Sequence, residues 1–340
     1  MAGSMLPFVA SQVHAVVEGI RLLEFFVTAP LGLHADIKML RESLSLAESA
    51  DLSREELQQR RTAFGELTDQ PRELALGVVS SIGRSLDTLA LSTGTGGSPF
   101  DESWVAQARR VLARAARRVA ADIRSGAASR VKGLYVVVDP EATKGRPVFE
   151  VAEAAISGGA AVLQLRDKTK DKGDVLVLAR QLQSLCESAG ALFVVNDDAD
   201  LALCVEAHGL HVGQTDLPVA EARRVLAPTQ IVGRSNNTVA EAMDSQAQGA
   251  DYLAVGAIYP TSTVGKGQRN PVGVDLIGRI KDLAPQPLVA IGGINRSNID
   301  EVVRAGADCV CVVSAVTFAD DPEAATSALV EAMLSASTAK

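Results

Sequence analysis

Three segments bring together residue types suited to holding phosphate. Gln164-Leu165-Arg166-Asp167-Lys168 ends an apolar run, and alternation along a strand would put Gln164, Arg166 and Lys168 on one face if the strand persists that far. Two cations and an amide on one face are costly to bury without a ligand, and a guanidinium beside an ammonium suits phosphate. A salt-bridged surface cluster is the equal alternative on this segment alone. Asn196-Asp197-Asp198 and His211-Val212-Gly213-Gln214-Thr215-Asp216 end two further apolar runs. Carboxylates Asp197 and Asp216 converging near a polyanion would hold Mg²⁺, which keeps some waters and also takes phosphate oxygens. One aspartate there could instead be a helix N-cap, and Asp198 is the better candidate for that. His211 sits between apolar neighbours and is read as a packing histidine.

The C-terminal part adds a second set. Gly256 to Gly267 is a hydroxyl-rich stretch with Lys266, able to close over a ligand or to be an ordinary loop. Gly292-Gly293 and Ser314 follow the last two apolar runs, where backbone can approach a ligand closely and present N–H groups to an anion. Two anion sites are therefore expected, one metal-assisted and one made of backbone.

These segments need a scaffold that gathers them. After Arg130 short β-branched runs alternate with alanine-rich helical stretches, with strands read at Leu134–Val138, Val162–Leu165, Leu192–Val195, Gly209–Val212, Ile231–Val232, Tyr252–Val255, Leu288–Ile291 and Cys309–Val313. Near-continuous apolar strands alternating with helices imply a parallel sheet covered by helices. Eight such units predict an α/β fold, a (β/α)8 TIM barrel, whose chemistry sits at the C-terminal ends of its strands. A doubly wound open sheet is the runner-up, but the first strand runs into Val138-Asp139-Pro140 and not a GxGxxG turn.

Before Arg130 the pattern is helical. Val13, Val17, Ile20, Leu23 and Val27 recur at helical spacing, and Pro30 and Gly32 break the pattern. Ile37, Leu40 and Leu44 mark one face of a second helix, and Glu73–Leu91 reads as another. The turn-rich segment Ser92 to Gly97 leads to Ser98-Pro99, a helix start. The next helix carries Val105, Ala108, Leu112, Ala115, Val119 and Ile123 on one side. Arg109, Arg110, Arg114, Arg117, Arg118 and Arg124 crowd its other faces and are read as a solvated basic face. The expected division is an all-α domain over 1–130, of no readable role, and a barrel over 131–340.

Composition narrows the functional class. The chain has 340 residues, 47% of them hydrophobic and 22% charged, which excludes a disordered tail. A net charge of −8 argues against a nonspecific nucleic-acid binder. No CxxC pair occurs among Cys186, Cys204, Cys309 and Cys311, so neither structural zinc nor a disulfide framework is expected. The apolar patch Met5–Ala10 lacks a basic flank, no apolar run is read as long enough to span a bilayer, and a cytoplasmic setting is expected.

In order along residues 132–334, the segments Gln164 to Lys168, Asn196-Asp197, Gly209 to Asp216, Gly233-Arg234-Ser235, Pro260-Thr261-Ser262-Thr263, Ile291 to Ile294 and Ser314-Ala315 resemble thiamin phosphate synthase. More faintly, Glu18 to Glu24 resembles an N-terminal extension of some bacterial members. The resemblance implies a transferase that joins hydroxymethylpyrimidine diphosphate to hydroxyethylthiazole phosphate, releasing pyrophosphate through a pyrimidine cation. It implies that Gln164, Arg166, Lys168 and Asn196 hold the diphosphate, that Asp197 and Asp216 bind Mg²⁺, and that Ser235 lines the reacting centre. Thr261, Thr263, Gly293, Val313 and Ser314 would hold the thiazole phosphate, with Ser235, Lys266 and Arg166 as the catalytic groups. Partners would be these small molecules, without nucleic acid or membrane, and a homo-oligomer is allowed. Two positions depart from the family pattern: Val264 stands where a lysine is usual, leaving Lys266 to reach back, and Asn237 stands where a histidine is frequent. The alternatives are a thiazole tautomerase, an isomerase on the same fold, and an inactive barrel that senses a phosphorylated ligand.

Overall fold

A computed structural model of the chain describes residues 7–26, 37, 38, 40, 71–92, 102–263 and 270–338. The chain divides into two compact units, Met1–Ile123 and Arg124–Lys340.

The first unit is helical: α1 spans Pro7–Phe26, α2 Pro71–Ser92 and α3 Glu102–Ala128, which runs past the unit's end. Its core draws Val16, Ile20 and Leu23 from α1, Ile82, Leu86 and Leu89 from α2, and Ala108, Leu112, Ala115 and Val119 from α3. Apolar positions at three- and four-residue steps give each helix one stripe to bury, and the three stripes cover each other. Val16 is the buried valine of α1, with Val17 only packed against the core. Arg109, Arg110, Arg117 and Arg118 face outward as expected, Arg109 pairing with Asp87 at 2.5 Å. Val27, Pro30, Gly32, Leu44 and the turn-rich segment after Ser92 lie outside the described residues. The expectation that no segment reaches bilayer length meets one exception, since Arg72–Leu91 is long and apolar enough by length and composition. That helix is amphipathic, exposing Arg72, Glu73, Arg84 and Asp87 and burying Ala75, Val79, Ile82, Leu86 and Leu89.

The second unit is a closed barrel of eight parallel strands in sequential order, β1 (Gly133–Val138), β2 (Val162–Leu165), β3 (Leu192–Asn196), β4 (Gly209–Val212), β5 (Ile231–Asn236), β6 (Tyr252–Val255), β7 (Leu288–Ile291) and β8 (Cys309–Val312). Helices alternate with them: α4 (Val148–Ser157), α5 (Lys172–Ala189), α6 (Ala199–Cys204), α7 (Val219–Val225), α8 (Val239–Ala247), α9 (Asp275–Lys281), α10 (Ile299–Arg304), α11 (Ser314–Thr317) and α12 (Pro322–Thr338). The strands are buried on both faces, which is why they read as apolar runs. Outward residues such as Val136, Leu163, Phe193 and Leu210 pack against the helices. Inward residues such as Tyr135, Val162, Leu192, Ile231 and Tyr252 fill the barrel, with Ala128 and Val131, just ahead of β1, in the same cluster.

One interior position decides how the upper barrel is filled. In the register of β4, β5 and β6, His211 lies opposite Gly233 and Gly233 opposite Tyr252. A Cβ on Gly233 would fall 2.0 Å from Cζ of Tyr252, so the tyrosine ring occupies the space the glycine leaves. Overpacking of this kind costs about 1–3 kcal/mol. Gly233→Ala should therefore lower the midpoint of chemical denaturation and shift the tyrosine absorbance, and an unchanged midpoint would refute this account of the packing.

Candidate active site

The C-terminal strand ends build the site, as the barrel rule requires. A cavity of about 250 Å³ opens there, floored by Tyr135, His211, Ala254 and Cys311 and walled by Gln164, Arg166, Asn196, Asp197, Asp216, Ser235 and Thr261. β2 stops at Leu165, so strand alternation alone does not bring the three phosphate candidates together. Gln164 is buried on the strand, whereas Arg166 lies just beyond it and is ion-paired with the buried Asp139 at the end of β1. Glu141 N–H also donates to Asp139, at 2.9 Å, so the carboxylate is held on both oxygens. Lys168 is half-exposed, does not line the cavity, and reaches its rim through an ion pair with Asp197.

Asp197 has a left-handed backbone, φ 59°, a conformation Asn and Asp tolerate better than most side chains. Its N–H donates to the His211 carbonyl at 2.8 Å, fixing the turn after β3 to the end of β4. Asn196 Nδ2 donates to Asp197 Oδ2 at 2.7 Å. Gly213 N–H donates to Asp216 Oδ2 at 2.9 Å. The Asp216 carboxyl titrates above the usual carboxylate range, because burial and then the charge of Asp197, within hydrogen-bonding reach, both disfavour its ionised form. Asp198 occupies the N-cap of α6 without capping it, and its carboxylate pairs instead with Lys172 at 2.9 Å.

A second cavity, about 510 Å³, adjoins the first and shares Thr261, Ile291, Gly292, Cys311 and Val313 with it. Thr263, Gly293 and Ser314 also line it, and Thr263 Oγ1 lies 3.1 Å from Ser314 Oγ. Gly292 has φ 104° and a Cβ there would meet the Ala257 Cβ at 2.5 Å, so both backbone sign and space demand glycine. Lys266 and Val264 lie outside the described residues. Asn237 stands back from both cavities, its N–H donating to Glu241 at 2.6 Å.

Tyr135, which lines the cavity, and Asp139 and Tyr252, which hold lining residues, carry no local motif, and the apolar neighbours of His211 point to packing. His211 is satisfied on both ring nitrogens, but one partner is Ser235, Nε2 to Oγ at 3.0 Å, and the other is Tyr252, Nδ1 to OH at 3.2 Å. Burial holds its imidazole down at about 4, hence neutral near pH 7. The only signal in the sequence was parity, since His211 shares its strand face with Gly209, on the inside of β4.

Among the described residues no group of three or more His, Cys, Asp or Glu could hold a metal ion. A pair of carboxylates is nonetheless what Mg²⁺ takes when the ligand's phosphates and waters complete its shell. Asp197 and Asp216 fit that role, being adjacent, on the cavity wall and mutually repelling.

A closed barrel of eight parallel strands whose C-terminal ends open into two adjoining cavities is a (β/α)8 barrel with its candidate site at the face such barrels use. Residues 134–316, more than half of the chain, match the family model described as thiamine monophosphate synthase, and the chain belongs to that family. A thiamine-phosphate synthase from Shouchella clausii is 45% identical over 204 residues, 60% of this chain and 97% of that protein. One from Natronomonas pharaonis is 44% identical over 202 residues, 59% of this chain and 94% of that protein. The structure titled thiamine phosphate pyrophosphorylase from Pyrococcus furiosus is 34% identical, with a TM-score of 0.56, covering 61% of this chain and 98% of its own. All of these leave the helical unit without a counterpart in length.

Proposed function

We propose that the chain is a thiamin phosphate synthase, a transferase that couples hydroxymethylpyrimidine diphosphate to hydroxyethylthiazole phosphate and releases pyrophosphate. The observation that carries this reading is the meeting of Asp197 and Asp216 on the wall of a cavity that also holds Gln164, Arg166 and Ser235. A tautomerase has no diphosphate to bind and needs no such pair.

In this reading Gln164, Arg166 and Asn196 bind the diphosphate, with Lys168 at the rim. Asp197 and Asp216 would hold Mg²⁺, whose charge supports the pyrophosphate as it leaves. Arg166 places a fixed positive group against the same developing charge, where a dry site makes it count more than in water. Heterolysis of the carbon–oxygen bond gives a pyrimidine cation, which the thiazole nitrogen attacks to form the new carbon–nitrogen bond. No protein nucleophile takes part. Thr261, Thr263, Gly293, Val313 and Ser314 hold the thiazole phosphate in the adjoining cavity, which shares a wall with the first and so aligns the two reactants. Lys266 is assigned to the same phosphate from the segment after Thr263. The setting is cytoplasmic, and no activity is assigned to residues 1–130.

Supplying both substrates with Mg²⁺ should yield thiamin phosphate and pyrophosphate in equal amounts, followed by chromatography. Thiazole isomerisation without coupling would instead indicate the tautomerase, and saturable binding without turnover an inactive sensor.

A further inference from the structure

Five side chains form a continuous hydrogen-bonded row beneath the reacting cavity. Gln164 Nε2 donates to the Tyr135 hydroxyl at 2.7 Å, and that hydroxyl lies 3.3 Å from the hydroxyl of Tyr252. Tyr252 OH lies 3.2 Å from His211 Nδ1, and His211 Nε2 lies 3.0 Å from Ser235 Oγ. The His211 and Tyr252 rings stack with centroids 5.8 Å apart. Tyr135 and Tyr252 are fully buried, so the hydroxyl proton of each needs a partner, and the neighbours in hydrogen-bonding reach are those of the row.

Counting protons gives the row a direction. An amide nitrogen only donates, so Tyr135 accepts from Gln164 and its single proton goes to the Tyr252 oxygen. Both phenols stay protonated, since burial raises each well above its ordinary range. The Tyr252 proton then goes to His211 Nδ1, which must be bare. A neutral imidazole in that state carries its proton on Nε2 and donates it to Ser235 Oγ. The Ser235 hydroxyl, already accepting, has its own proton left for the cavity it lines.

We propose that Tyr252 and His211 are positioning residues that fix the Ser235 hydroxyl as a hydrogen-bond donor to an acceptor atom of the heteroaromatic substrate. Neither touches the reacting bond. They act by setting the proton order of the row, from Gln164 at one wall to Ser235 at the other. The proposal rests on the synthase reading for the identity of the ring, but the proton order itself does not depend on it.

The test uses the full chain with ¹⁵N-labelled histidine, the His211 resonance being identified by its loss in His211→Asn. In the unaltered protein at neutral pH, His211 should show the Nε2–H tautomer alone. Tyr252→Phe deletes the hydroxyl and keeps the ring that fills the space above Gly233. In that variant the tautomer should become mixed and kcat for thiamin phosphate formation should fall about tenfold, as loss of an outer hydrogen-bond partner does elsewhere, with both KM values unchanged. A His211 signal of the Nδ1–H form, or a Tyr252→Phe enzyme with unaltered kcat, would overturn the proposal. Should that variant not fold, the tautomer of the unaltered protein still decides. A protein that makes no product at all while showing the Nε2–H form would sink the synthase reading and leave the proton order standing.

Discussion

Replacing Asp216 by Asn should nearly abolish turnover and at the same time make the metal-free protein more stable. The first effect follows from the loss of one of two carboxylates on the cavity wall. With only Asp197 left, divalent-ion affinity falls and the leaving pyrophosphate loses charge support, an effect of roughly a hundred- to thousandfold on kcat/KM. The second follows from the electrostatics without the ion. Burial and the neighbouring charge of Asp197 raise the Asp216 carboxyl above its ordinary range, so its ionised form is disfavoured in the folded chain. The folded state therefore binds the proton more tightly than the unfolded one, and stability falls as pH rises from the ordinary carboxylate value through the raised one. Above that window the full penalty is present, and Asn removes it while keeping an oxygen to accept from Gly213 N–H. The apparent melting temperature without metal should rise. For the unaltered protein, the stabilisation by Mg²⁺ should weaken as pH falls into the window where Asp216 takes up its proton, because protonation competes with the ion. Activity retained in Asp216→Asn, or a metal-free variant less stable than the parent, would refute the carboxylate pair as the ion's site.

The strands of the barrel were legible nearly residue by residue, because strands buried on both faces leave an unbroken apolar signature. That apolar signature stops short where a strand becomes functional. It ends β5 at Val232, whereas the strand continues through Gly233-Arg234-Ser235-Asn236. Those residues look like a loop because they are polar or small, and they are so because Ser235 faces the cavity and Gly233 makes room for Tyr252. Most of the candidate site residues were legible as types, and Ser235 through the family resemblance: Gln164, Arg166, Asn196, Asp197, Asp216, Ser235 and Thr261 all line one cavity. What stayed hidden was how they are held. Tyr135 meets Tyr252 across 117 positions of sequence, and Arg166 meets Asp139 across 27. Such contacts exist only once the barrel closes and its register is set, and no local pattern encodes them. His211 shows the same limit: its apolar neighbours describe the outside of β4, while its own side chain faces the inside.

Arg166 should prove the most sensitive position in the barrel, since one side chain carries both a binding and a structural load. Its guanidinium lines the cavity and also neutralises Asp139, whose side chain is only 2% exposed. Arg166→Ala removes the positive group from the diphosphate, with an expected loss of about a thousandfold in kcat/KM. It also strands a buried carboxylate, at a cost of about 3 kcal/mol to stability. These two losses are separable. In the double variant Asp139→Asn/Arg166→Ala no uncompensated charge remains, so stability should recover most of what the single variant lost, whereas turnover should not recover at all. Asp139→Asn alone should keep the fold and lower turnover moderately, because the arginine loses the carboxylate that orients its fork. Arg166→Lys tests the geometry: it keeps the charge but not the two-pronged donor set, and should retain the fold with roughly a hundredfold lower kcat/KM. Denaturation midpoints and steady-state rates of the parent, Asp139→Asn, Arg166→Ala and the double variant form one coupled cycle. If turnover returned together with stability in the double variant, Arg166 would be a strut for the end of β1 and not a ligand for the leaving group, and the diphosphate site would have to be sought elsewhere on the rim.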